Sequence, residues 1–201
     1  LAPAPTEFQF PASWSSDARS LVFGQGNDLY VWSEDADAPV RRLTNSSFRI
    51  IGAELSPDGN WLAYVYEEAG RFEVHVASYP DMSSTQQVSA RGGRAPVWSG
   101  DGRKLVYLEP IPNDPKQVFS VVEIDVTTGD GRFSRSAGRR LFDVPWYSPA
   151  GVKRGYDMTA DAERFIFVRR SYAIPAVDLD RIHVVQNWFN LLRERAPVRP
   201  D

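Results

Sequence analysis

Side chains able to do acid–base or nucleophilic chemistry are few among these 201 residues. There is no cysteine, which removes thiol nucleophiles, zinc–thiolate sites and disulfides together. The two histidines, His75 and His183, lie in alternating strand-like runs, Phe72–Val76 and Ile182–Val184, with no Glu-x-x-His pattern joining them. A metal site or proton relay needs convergent ligands, so two histidines facing outward from strands is the better reading. No Gly-x-Ser-x-Gly elbow is present, so the hydrolase nucleophile is missing. The acidic runs Glu34-Asp35-Ala36-Asp37 and Asp178-Leu179-Asp180 lack the glycine and distal glutamate of an EF-hand loop. The expectation is no catalytic residue, no cofactor and no metal. One aromatic pair stands apart: Trp146 and Tyr147, in Val144-Pro145-Trp146-Tyr147-Ser148-Pro149. Exposed aromatics on a long loop are typical binding anchors, which makes this pair the candidate protein-binding loop. Tucked beneath the loop it would be ordinary packing, and the residues leave both readings open.

Four aspartates recur in one local context. Asp17, Asp58, Asp101 and Asp161 each follow an apolar residue, a Ser or Thr and one further residue, and each precedes a small residue. Two residues later an apolar triplet begins and ends in Phe or Tyr: Leu21–Phe23, Leu62–Tyr64, Leu105–Tyr107 and Phe165–Phe167. Ser56-Pro57-Asp58-Gly59 is suited to a tight hairpin. Proline presets φ, aspartate bonds its own backbone, and glycine takes φ > 0. Ala18 and Ala162 replace that glycine, so those two turns need another backbone or carry strain. A site needed once has no reason to recur four times, so the aspartates are expected to be structural turn residues.

The elements that hold these turns are strands. The aspartates are 41, 43 and 60 residues apart, and the first two intervals match the roughly 40–45-residue period of four-stranded propeller blades. The third carries about 17 more residues than the second, around Phe133 to Lys153. The fold class is therefore all-β: a β-propeller of about four blades, each of four antiparallel strands. Blades are expected near 12–50, 51–94, 95–150 and 151–186, after a linker or cut edge over 1–11. A short C-terminal helix, 187–195, is expected to follow. Trp14, Trp32, Trp61 and Trp98 are expected in the core between blades. A net charge of -3 gives no basic footprint for nucleic acid. No apolar run approaches the length that spans a bilayer, so no membrane insertion by this chain is expected.

The turns resemble the WD40-like repeat of bacterial TolB-type proteins. Leu55-Ser56-Pro57-Asp58-Gly59 matches it fully and Trp98-Ser99-Gly100-Asp101-Gly102 nearly so. A finer resemblance runs through Glu73–Asp81, Val88–Gly93, Pro96–Ser99 and Val184–Phe189. These segments are similar to propellers joined to bacterial serine/threonine protein kinases, although none of the kinase motifs occurs here. The resemblance implies a six- or seven-bladed ring, of which four blades would be an open arc and this chain a piece. It implies a non-catalytic module for protein or peptide recognition, the sensor or interaction part of a larger bacterial protein such as a membrane-linked kinase. A periplasmic TolB-like envelope or transport component and the gating propeller of a serine peptidase are alternatives. The implied location is extracytoplasmic, and open blade edges imply self-association.

Overall fold

Apolar and polar residues alternate between turn-forming residues along most of this chain, and such a pattern folds as short half-buried strands. A computed structural model describes residues 9–114, 118–129, 131–144 and 155–168, all within the compact unit Leu1–Arg170. The described residues contain strands and no helix. Blade 1 is β1 (Gln9–Trp14), β2 (Ser20–Gln25), β3 (Asp28–Ser33) and β4 (Val40–Arg42), hydrogen-bonded in that order. Blade 2 repeats it with β5 (Arg49–Leu55), β6 (Trp61–Glu68), β7 (Arg71–Ser78) and β8 (Thr85–Gln87). Every pairing in both sheets is antiparallel. These are four-stranded propeller blades.

Blade 3 departs by one strand. Its first three are β9 (Arg94–Trp98), β10 (Lys104–Pro110) and the long β11 (Phe119–Gly129). The far end of β11 forms a hairpin with β12 (Arg132–Arg135), and its near part pairs with β13 (Arg139–Val144). Part of the extra length in the third repeat is thus an added hairpin arm. The described part of blade 4 is β14 (Tyr156–Met158) paired with β15 (Phe165–Phe167). Trp146, Tyr147, His183 and the expected helix 187–195 lie outside the described residues.

Each blade turns one face to the blade before it and the other to the blade after it. Between blades 1 and 2 the core holds Val22 and Leu29 against Leu55, Leu62 and Tyr64. Between blades 2 and 3 it holds Val65, Val74 and Val76 against Trp98, Leu105, Tyr107 and Ile124. Between blades 3 and 4 it holds Val97, Val106 and Val121 against Tyr156, Phe165 and Phe167. The apolar triplets sit on second strands, so adjacent residues of a triplet serve opposite interfaces. Trp61 and Trp98 are buried as expected. Trp14 is not: it is an exposed aromatic, in edge contact with the half-buried Trp32. The reason is positional. The face of blade 1 carrying Trp14 has no blade before it among the described residues.

Candidate functional site

At one end of the blades the first and second strands join through the repeated turns. In each, the Ser or Thr hydroxyl donates to the aspartate two residues on: Ser15 to Asp17 at 2.6 Å, Ser56 to Asp58 at 2.5 Å, Ser99 to Asp101 at 2.7 Å, and Thr159 to Asp161. The same carboxylate accepts the backbone N–H two residues further, from Arg19, Asn60, Arg103 and Glu163 at 3.0–3.2 Å. The hydroxyl oxygen accepts the N–H that opens the second strand, from Ser20, Trp61, Lys104 and Arg164. These bonds favour the charged carboxylate. The Ser15 hydroxyl, with the Arg19 N–H, holds Asp17 below the usual carboxylate range. Ser99 does the same for Asp101 and Thr159 for Asp161. Around Asp58 burial pushes upward, but the bonds from Ser56 and Asn60 outweigh it and its pKa is lowered too. Successive turns also touch: Gly100 N–H donates to the Ala160 carbonyl at 2.8 Å. In all four turns Oδ1 of the aspartate is engaged within the turn itself.

The opposite end carries the β2–β3 and β6–β7 hairpins and the loops that lead into β5 and β9. A second hydrogen-bonded clasp repeats here. The Thr44 hydroxyl donates to Asp28 at 2.8 Å and accepts the Leu29 N–H at 3.0 Å. In blade 2 the Ser89 hydroxyl donates to Glu73 at 2.5 Å and accepts the Val74 N–H at 2.9 Å. In blade 3 the roles are exchanged: Ser120 on the third strand donates to Asp143 on the fourth at 2.9 Å. Buried or half-buried carboxylates at this end also meet exposed arginines: Asp28 with Arg42 at 2.5 Å, Glu67 with Arg49 at 2.6 Å and Glu109 with Arg91 at 2.8 Å.

Arg94 breaks that rule. It opens β9 and pairs with Leu108 in register, as Phe10 pairs with Gly24 in blade 1 and Ile51 with Val65 in blade 2. Where two blades place an apolar side chain, blade 3 places a cation. A register shift follows it, at Ala95 with φ 50°. Its guanidinium lies over the Phe72 ring, 3.5 Å from the centroid. Burial lowers its pKa and the Glu67 carboxylate opposes that. No hydrogen bond engages this guanidinium among the described residues, and a guanidinium carries five N–H donors. Phe48, exposed, meets Tyr66 edge-on at 5.6 Å. Arg49, Glu67, Phe72 and Arg94 form the candidate recognition patch at the hairpin end of blade 2, on its face toward blade 3, while Tyr66, which meets Phe48, lies on the face toward blade 1. The patch holds a planar cation and an aromatic face, the elements of carboxylate and peptide recognition, without a nucleophile–base pair.

His75 is not turned outward as expected. It is half-buried, stacked on Tyr64 at 5.7 Å and tilted against Tyr66 at 5.7 Å. Burial lowers its pKa, partly offset by Glu73. From the first acidic run, Glu34 and Asp35 pair with Arg19. Among the described residues no group of three or more His, Cys, Asp or Glu is arranged to hold a metal ion, and no helix is long and apolar enough to cross a membrane. Sequence reasoning missed Arg94 and the second clasp. The available signal for Arg94 was a cation at a repeat position that is apolar in the two preceding blades.

No protein-family model matches the sequence. An uncharacterised protein of Agrobacterium fabrum is 27% identical over 154 residues, covering 71% of this chain and 52% of that protein. A TolB-type structure from Agrobacterium tumefaciens is similar with a TM-score of 0.56 and 24% identity, over 72% of this chain and 52% of that one. TolB from Acinetobacter baumannii is similar with a TM-score of 0.56 and 14% identity, over 84% of this chain and 39% of that one. At these identities the likeness shows the propeller fold. The chain spans about half the length of the curated relative it matches.

Proposed function

We propose that this chain is a non-catalytic propeller module that recognises protein or peptide segments through the hairpin end of blades 2 and 3. The observation that carries the reading is Arg94: a guanidinium stacked on Phe72, with no hydrogen bond engaging it among the described residues. A cation held against a ring keeps its geometry while its N–H edge stays available, which suits a carboxylate or a main-chain carbonyl. Phe72 supplies the apolar face beneath it. Trp146 and Tyr147, which lie outside the described residues, are proposed as further anchors. The resemblance to kinase-linked propellers supports an extracytoplasmic sensing part of a larger bacterial protein. Fold likeness to two TolB-type structures favours a second reading, an envelope component acting through protein contacts.

The test is a titration of the full chain with synthetic peptide arrays, acidic and neutral, read by fluorescence anisotropy. Acidic peptides are expected to bind, and Arg94→Gln to weaken them about tenfold, the loss of one charge-assisted pair. Circular dichroism of the variant should match the parent. Equal binding by parent and variant would remove Arg94 from the site. Turnover of peptide or phosphate-ester substrates by the purified chain would overturn the non-catalytic reading.

A further inference from the structure

The row of side chains nearest the hairpin end of blade 2 carries charge, where the row beneath it is apolar. On the face toward blade 3, strand register aligns Arg49, Glu67 and Phe72 across β5, β6 and β7. The next row inward is Ile51, Val65 and Val74, all buried. Blade 3 adds Arg94, whose guanidinium lies 3.5 Å from the centroid of the Phe72 ring. The loop before Arg94 holds it there. Gly93 N–H donates to the Phe72 carbonyl at 2.7 Å. Gly92 has φ 92°, and a Cβ on it would stand 3.3 Å from that same carbonyl oxygen and 3.2 Å from Pro110. Only glycine meets both demands without strain.

Arg94 and Glu67 stand on one surface and do not pair with each other. Glu67 acts on the Arg94 charge, yet no ion pair or hydrogen bond joins the two. Both contacts from Arg49 reach Oε2 of Glu67, from Nε at 2.7 Å and from Nη2 at 2.6 Å. Among the described residues no hydrogen bond reaches Oε1 of Glu67. Two opposite charges therefore sit near one another over an apolar floor, close enough to interact and too far apart to bond. A bare carboxylate brought to Arg94 meets repulsion from Glu67. A carboxylate with an ammonium a few bonds away turns that repulsion into attraction, and a site with one charge of each sign discriminates against ligands that carry only one.

We infer that the patch recognises a neighbouring ammonium and carboxylate, as at the amino terminus of a peptide whose first residue is acidic. The carboxylate lies against the guanidinium of Arg94, and the ammonium donates to Oε1 of Glu67. Free aspartic or glutamic acid offers the same chemistry. The buried row of Ile51, Val65 and Val74 closes the site from below, so the charge pair stays at the hairpin end. This inference rests on the recognition reading above and narrows its ligand.

The test uses the full chain and a set of peptides labelled at the carboxyl end, read by fluorescence anisotropy. The peptides differ only in the first residue, Asp or Asn, and in the amino terminus, free or acetylated. The free Asp peptide should bind at least about tenfold more tightly than either singly altered peptide. The doubly altered peptide should lose less than the product of the two single losses, because each charge left alone faces a like charge in the patch. Glu67→Gln, with the parent's circular dichroism spectrum, should bring the free and acetylated Asp peptides to within about twofold of each other. If that variant does not fold, the peptide set on the parent still decides. Equal binding of free and acetylated Asp peptides by the parent overturns the inference, while sensitivity of both to Arg94→Gln keeps the recognition reading. A preference for the free amino terminus that persists in Glu67→Gln overturns it too. Binding of no peptide, here or on the acidic arrays, removes both. Free aspartic acid as competitor identifies the source: competition at the peptide's own affinity assigns the small zwitterion, and weaker competition assigns the peptide end.

Discussion

A half-buried imidazole and four charged turn carboxylates leave the same sign on the response to acid, in different windows. His75 is held neutral by burial between Tyr64 and Tyr66, and its pKa lies below the ordinary 6.5. As pH falls below 6.5, the unfolded chain takes up a proton that the folded chain refuses. Stability is then full above about pH 6.5 and declines as pH falls toward the folded pKa. For Asp17, Asp58, Asp101 and Asp161 the folded pKa is also lowered, from 3.8. Their contribution is present above that value and is lost as pH falls through the folded pKa. His75→Phe should therefore flatten the urea midpoint between about pH 5 and 6.5 while leaving the steep loss below pH 4. Identical pH profiles for parent and variant would mean that His75 carries no such linkage.

At the scale of the element, the turn and the clasp differ in how they could be read. The turns were legible because serine, aspartate and a small residue recur in fixed order. Ala18 and Ala162 show what that order demands of the backbone. Their φ angles are 59° and 58°, beside 70° and 71° at Gly59 and Gly102. The alternative of a different backbone is thus excluded, and alanine sits in the left-handed region, where a Cβ costs about 1 kcal/mol. Ala18 is exposed, so Ala18→Gly should stabilise by about 1 kcal/mol and Gly59→Ala destabilise by a similar amount in urea unfolding. Two changes in the same direction would break the equivalence of the turns. The clasp at the other end was not legible. Asp28–Thr44 and Glu73–Ser89 vary in both residue types, and Ser120–Asp143 reverses them across the added β12 arm. Nor was the aim of Arg94, because the bulge at Ala95 that accompanies it depends on strand register, which one sequence shows only through its pattern.

Across the described blades, stability comes from interfaces between neighbours, the condition under which repeat proteins behave as chains of coupled units. Identical sequence positions then carry unlike energies according to what lies beside them. Leu21, Leu62 and Leu105 are one position in three blades, and the repeat pattern alone gives no reason to separate them. Leu62 and Leu105 are fully buried against a preceding blade, whereas Leu21 is half-buried on the face that carries Trp14. Leu62→Ala and Leu105→Ala should each cost about 2–5 kcal/mol through lost burial and a residual cavity. Leu21→Ala should cost clearly less, because part of its side chain is already in water. Urea-unfolding midpoints of the three variants, each compared with the parent, separate the two buried positions from the half-buried one. A Leu21→Ala cost as large as the other two would mean that burial does not set the difference between the three positions.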